Sequence, residues 1–196
     1  MSAVRPDPSV ELESLHQAMR ACTRCPELVR SRSQVVPGSG NLRAKIVFVG
    51  EGPGEKEDQQ GVPFVGPAGQ LLDKLLAEIG LSRQDVFITN VIKCRPAGNR
   101  DPLPAEIAEC REHLFAQLLL INPAVVCTLG RFAMATLVKE DLSITRVHGN
   151  QYKMPGFIAI PLFHPSFVLR DDTGDRLVEM RADFQMLKGL LESLGA

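Results

Sequence analysis

Four short runs in this chain are apolar almost without a break, and they constrain the fold more than any other feature. They lie within 45–50 (Ile46-Val47-Phe48-Val49), 86–91 (Val86-Phe87-Ile88 at its start), 124–129 and 157–161. Each is five or six residues long and rich in β-branched or aromatic residues, as expected of strands buried on both faces. Helical patterning separates them. A helix over about 68–79 shows Leu71, Leu72, Leu75, Leu76 and Ile79 as its apolar stripe and Gly80 as its stop. Further helices are expected over about 104–121, 131–138 and 177–194, and one over about 11–21 precedes the first strand. Residues 1–10, with Pro6 and Pro8, read as a flexible tail. The order β-α-β-α-β-α-β-α predicts an α/β fold with a parallel sheet and helices on both faces. No repeat or linker divides the 196 residues, so one domain over 1–196 is expected.

Composition then narrows the function. The net charge of −1 gives no global basic field, so any nucleic-acid contact must come from a local patch. The N-terminus lacks an apolar leader and no run is long enough to span a bilayer, so a cytoplasmic protein with no membrane partner is expected. Five cysteines, an odd count, argue against a complete disulfide framework.

In open parallel sheets, sites gather at the carboxyl ends of the strands, and here the unusual residues follow strands one, two and four. After strand one comes GEGPGEKEDQQGVPFVGPAG (50–69). Gly50, Gly52 and Gly54 suggest a dinucleotide turn, but Glu51 and Glu55 crowd it and no cation precedes Lys56. A pyrophosphate would meet negative charge there. The loop could instead be purely structural, although Val62-Pro63-Phe64-Val65 is then an odd apolar insert. A third reading joins three loops: Phe64 as a stacking ring, Asn90 as a paired donor and acceptor at the end of strand two, and His164 after strand four. Together they suit a nucleobase pocket.

The cysteines also read in two ways. Cys22-x-x-Cys25 could be a redox pair, with Cys94 and Cys110 simply buried. Alternatively the four form a thiolate-only set for zinc or an iron–sulfur cluster. Cys127, within Val-Val-Cys-Thr-Leu, reads as a core residue.

GEGPGEKED…PFVGPAG, ITNVIKCRP and FHPSFVLR, together with the four cysteines, resemble the family 4 uracil-DNA glycosylases, the iron–sulfur branch of that superfamily. The resemblance implies a three-layer αβα sandwich around a four-stranded parallel sheet. It implies a structural [4Fe–4S] cluster on Cys22, Cys25, Cys94 and Cys110, with no catalytic metal. The activity implied is hydrolysis of the N-glycosidic bond of deoxyuridine in DNA, the opening step of base excision repair. Phe64 would stack on a flipped uracil, Asn90 would read its N3–H and O4, and His164 would donate to O2. Gly52 stands where better-known superfamily members carry an aspartate, so Glu51 and Glu57 are assigned to the catalytic site without dividing their roles. Lys93, Ser166, Leu169 and Arg170 are the implied DNA contacts, with Leu169 filling the space left by the flipped nucleotide. The implied partner is uracil-containing DNA, single- or double-stranded, bound by a monomer, and a replication sliding clamp is a further candidate partner. A sister group traps uracil-DNA covalently through a histidine in a KRRIH loop. The corresponding KCRPAGNRDPLP has no histidine, which favours turnover. The competing reading, motivated by Gly52, is a uracil-DNA-binding protein of the same fold with little turnover.

Overall fold

The computed structural model describes residues 8–139 and 141–195. Six strands, β1 (Ser39–Gly40), β2 (Ile46–Gly50), β3 (Phe87–Asn90), β4 (Val125–Leu129), β5 (Tyr152–Met154) and β6 (Phe157–Leu162), form one sheet in the order β1-β3-β2-β4-β6-β5. The four expected strands are its parallel centre, and β1 and β5 extend its edges antiparallel. The edge strand β1 escapes the sequence reading because two residues show no periodicity.

The helices are α1 (Pro8–Arg20), α2 (Pro26–Ser31), α3 (Glu55–Gln60), α4 (Pro67–Glu78), α5 (Pro104–Ile121), α6 (Arg131–Leu137), α7 (Ile144–Val147), α8 (Pro165–Val168) and α9 (Asp175–Ser193). The expected tail over 1–10 is corrected, because Pro8–Val10 belong to α1. A proline in a first helical turn gives up no intrahelical bond. The rest of that tail, residues 1–7, lies outside the described residues.

Strand alternation sends successive side chains to opposite faces. Ile46, Phe48, Ile88, Cys127 and Ile160 pack towards α4 and α9, where the rings of Phe48 and Phe184 stack at 5.9 Å. Val47, Val49, Phe87 and Val126 pack on the other face with Leu12 and Met19 of α1 and Leu114 and Leu118 of α5. Register brings the carboxyl ends level: Gly50 lies opposite Asn90, Val49 opposite Thr128, and Leu129 opposite Leu162. From β2 the sheet continues to β3 on one side and to β4 on the other. This is the switch at which open α/β sheets form a crevice.

Candidate active site

The carboxyl ends of the central strands open into a cavity of about 800 Å³. Glu51, Gly52, Glu57 and Phe64 line it from the loop after β2, and Asn90 from the end of β3. His164, Ser166, Leu169 and Arg170 line it from the segment after β6. Lys93 does not take part. Expected as a phosphate contact, it is 1 % exposed, and its ammonium donates to Thr89 Oγ1, Asn90 O and Gln117 Oε1, each at 2.7 Å. Its aliphatic stem lies inside the protein, out of reach of a phosphate.

Asn90 is buried, and its Oδ1 has no hydrogen-bond partner among the described residues. A buried acceptor left unmatched is costly and is expected where a ligand completes it. Gly50 keeps the space beside it open, since a Cβ there would lie 2.5 Å from Asn90 Oδ1 and 2.6 Å from the Phe64 ring. Phe64 itself has φ 53°, a left-handed conformation unusual for a bulky residue. Arg83 holds it there by donating to Phe64 O and, at 2.9 Å, to Pro63 O, and is itself fixed by Asp73 at 2.6 Å. From below, α4 presses against the same carbonyl: a Cβ on Gly69 would fall 1.7 Å from Phe64 O.

His164 faces Phe64 with ring centroids 5.7 Å apart. The backbone N–H of Ser166 donates to His164 Nδ1 at 3.1 Å, and the Ser166 hydroxyl lies 2.7 Å from the same nitrogen. A main-chain amide can only donate, so Nδ1 carries the lone pair and Nε2 the proton. Burial, and then the charge of Arg170, pushes the imidazole down to about 4, so it is neutral at pH 7. Ser166, expected as a DNA contact, is thus committed to fixing this tautomer.

The two assigned acids differ. Glu57 Oε1 accepts from Val65 N at 2.9 Å and Gly66 N at 2.8 Å, fastening the segment that carries Phe64. Glu51 is not tied down in this way. Burial, and then the negative charge of Asp101, pushes its carboxyl up to about 7, with Arg131 opposing. Arg131 also pairs with Asp101. Gly52 has a steric reason: a Cβ there would lie 2.7 Å from Ile92 Cγ1. Leu169 and Phe167 stand half-exposed among the lining residues, 51 % and 38 % accessible.

On the side of the sheet covered by α1 and α5, Cys22, Cys25, Cys94 and Cys110 line one small cleft, and none is in a disulfide. Arg32 Nη1 donates to Cys94 Sγ at 2.9 Å. Burial and then the other three thiols push Cys25 up to about 11, so four thiolates coexist here only around positive charge. No group of three or more His, Cys, Asp or Glu among the described residues is set to hold a metal ion. Four thiol side chains around a common cleft are a donor set of the chemistry that an iron–sulfur cluster takes. Cys127 is fully buried on β4, as expected of a core residue.

The profile of the Uracil DNA glycosylase superfamily matches residues 37–188. This chain belongs to that superfamily. Within it the chain is similar to the type-4 uracil-DNA glycosylase of Thermotoga maritima, 45% identical over 186 residues that cover 94% of this chain and 96% of that protein. The type-4 enzyme of Archaeoglobus fulgidus is 46% identical over 169 residues, 81% of this chain and 84% of its own. That of Saccharolobus solfataricus is 42% identical over 191 residues, 93% and 87% respectively. The type-4 branch is thus the one this chain joins, as its motifs implied. Sequence reasoning missed Arg83, Gly69, Ile92, Asp101 and Arg131. Arg131 lies two residues past the end of β4, a site-forming position that could have flagged it. Arg83 carries no such signal, because only the folded loop brings it beneath Phe64.

Proposed function

We propose that this chain is a DNA-repair uracil-DNA glycosylase that flips deoxyuridine from DNA and hydrolyses its N-glycosidic bond, releasing uracil and leaving an abasic site. The observation that carries the proposal is the buried, unpartnered Asn90 Oδ1 in a cavity it shares with the Phe64 ring and the neutral His164. Uracil presents an N3–H donor and an O4 acceptor side by side, and an amide side chain matches both. Cytosine reverses the pattern and would leave Oδ1 unpaired.

The chemistry follows from the protonation states. As the bond from C1′ to N1 breaks, its electron pair moves onto the base and negative charge builds on O2. His164 Nε2–H is a preorganised donor for that charge, and removing such a donor typically costs about 10²–10³ in rate. The sugar becomes oxocarbenium-like. Glu51, as carboxylate, faces that positive charge and accepts the proton of the water that adds at C1′. The part an aspartate would play at Gly52 passes to Glu51, since Ile92 fills the place of a side chain there. Glu57 contributes by holding Phe64. Leu169 fills the gap left by the flipped nucleotide, and Arg170 meets the phosphates.

Cys22, Cys25, Cys94 and Cys110 hold a [4Fe–4S] cluster in this reading, and when bound it supplies a cross-link. The thiolates tie the N-terminal helices to the segment after β3 and to α5. What supports this is the thiolate-only donor set around one cleft.

The test is a gel and base-release assay with cluster-loaded protein and excess uracil-containing oligonucleotide. Several equivalents of free uracil and an alkali-labile site are expected. A stoichiometric complex that releases no uracil would instead identify a binding protein of this fold.

A further inference from the structure

Lys93, a DNA contact by the sequence resemblance, turns inward, and its surroundings do not balance its charge. It is 1 % exposed. Its three donors go to a hydroxyl, a main-chain carbonyl and an amide oxygen: Thr89 Oγ1, Asn90 O and Gln117 Oε1. Those acceptors belong to a neutral network. Thr89 Oγ1 donates to Pro37 O at 2.8 Å, and Gln117 Nε2 donates to Pro37 O at 2.9 Å and lies 3.0 Å from His16 Nε2. Burial holds His16 uncharged, pushing it down to about 4. An ammonium buried among neutral groups is strongly unfavourable unless an opposite charge lies near. Lys93 lines the same cleft as Cys22, Cys25, Cys94 and Cys110. Cys94 is its neighbour in sequence, and the Lys93 main-chain N–H hydrogen-bonds to Cys110.

We propose that Lys93 is a positioning residue that couples the cysteine-bound cluster to the uracil-reading end of β3, the net negative charge of the cluster with its thiolates serving as counter-ion to the buried ammonium. The inference rests on the cluster reading above. Lys93 reaches the ligand set through its main chain and grips Thr89 and Asn90 through its side chain. Loss of the cluster then leaves the ammonium unbalanced at the strand end that sets the Asn90 amide, so cluster and base recognition are coupled although the cysteine cleft and the cavity are separate.

The test uses the full-length holoprotein and two variants, Lys93→Met and Gln117→Glu. Each removes the local positive charge, by deletion or by neutralisation, so each is expected to shift the cluster's reduction potential to more negative values. The difference in Tm between holoprotein and chelator-stripped protein should narrow in both, because stripping no longer strands a charge. A lysine that only makes hydrogen bonds would lower both Tm values alike and leave that difference unchanged. In Lys93→Met, KM for a uracil-containing oligonucleotide should rise roughly tenfold, the scale of a lost outer-shell contact. Gln117→Glu keeps the ammonium and its bonds to Thr89 and Asn90, so its potential alone decides the charge argument. An unchanged potential in iron-loaded Gln117→Glu overturns the proposal while leaving the cluster in place. Wild-type protein that binds no iron overturns the cluster reading and this inference with it, and the iron content tells the two failures apart.

Discussion

The cavity and the cysteine lobe are built on opposite polar logics. Around Lys93, Thr89, Gln117 and His16, donors and acceptors are matched to one another. In the cavity, Asn90 Oδ1 is buried with no partner among the described residues, and Glu51 is held near 7 by burial and by Asp101. A satisfied network rigidifies; an unsatisfied one waits for a ligand. One residue spans both, since Asn90 offers its main-chain carbonyl oxygen to Lys93 and its amide to the cavity. One region holds the strand end still so that the other can read a base.

The strongest way to break this contrast is His164→Ala. Without its Nε2–H donor, kcat should fall by about 10²–10³ with little change in KM, read in single-turnover and steady-state assays. Unchanged kcat would remove leaving-group stabilisation from the account. Gly69→Ala acts indirectly, because a methyl meets the Phe64 carbonyl. Displacing the ring is expected to cost about tenfold in kcat/KM or more, the scale of a misplaced binding group. Gly189, exposed on α9 with nothing near its Cβ, is the control for a simple glycine effect on binding.

Glu51 sharpens the contrast through pH. With a carboxyl near 7, kcat/KM should fall on the acid side with an apparent pKa close to 7, and Glu51→Gln should flatten that limb while lowering the plateau. Stability has the opposite sign. The folded carboxyl binds its proton more tightly than one at the ordinary 4.5, so the contribution of Glu51 is full below about pH 4.5 and is lost as pH rises through 7. Thermal melts of wild type and Glu51→Gln across that window check the direction. A smaller effect is expected of Gly52→Asp, whose Cβ overlaps Ile92: about 1–3 kcal/mol of destabilisation from overpacking. Adding Ile92→Ala should make the double variant more stable than the sum of the single changes.

Much of this was legible in the sequence, and the boundary follows physical lines. Apolar runs marked the four central strands, and the leucine stripe of α4 and the span of α5 were read within a residue or so. Phe64, Asn90 and His164 stood out because each is an unusual residue after a strand. Helix α3 did not, since Glu55–Gln60 has no apolar stripe, and its buried residue is Asp58, which accepts from Ser33 N. Lys93 misled, because a lysine beside Cys-Arg-Pro reads as a surface cation, and only Thr89 and Gln117, from β3 and α5, reveal that its ammonium is enclosed. The hold of Arg83 on Phe64 likewise joins residues that no local pattern connects.

The central claim is that the unpartnered Asn90 oxygen is completed by uracil. It is tested most directly by release of free base from matched oligonucleotides containing uracil or cytosine, with wild type and Asn90→Ala side by side. The account predicts multiple turnover on uracil and none on cytosine for wild type, and a loss of about 100-fold on uracil in Asn90→Ala. Undiminished uracil release by Asn90→Ala would contradict it.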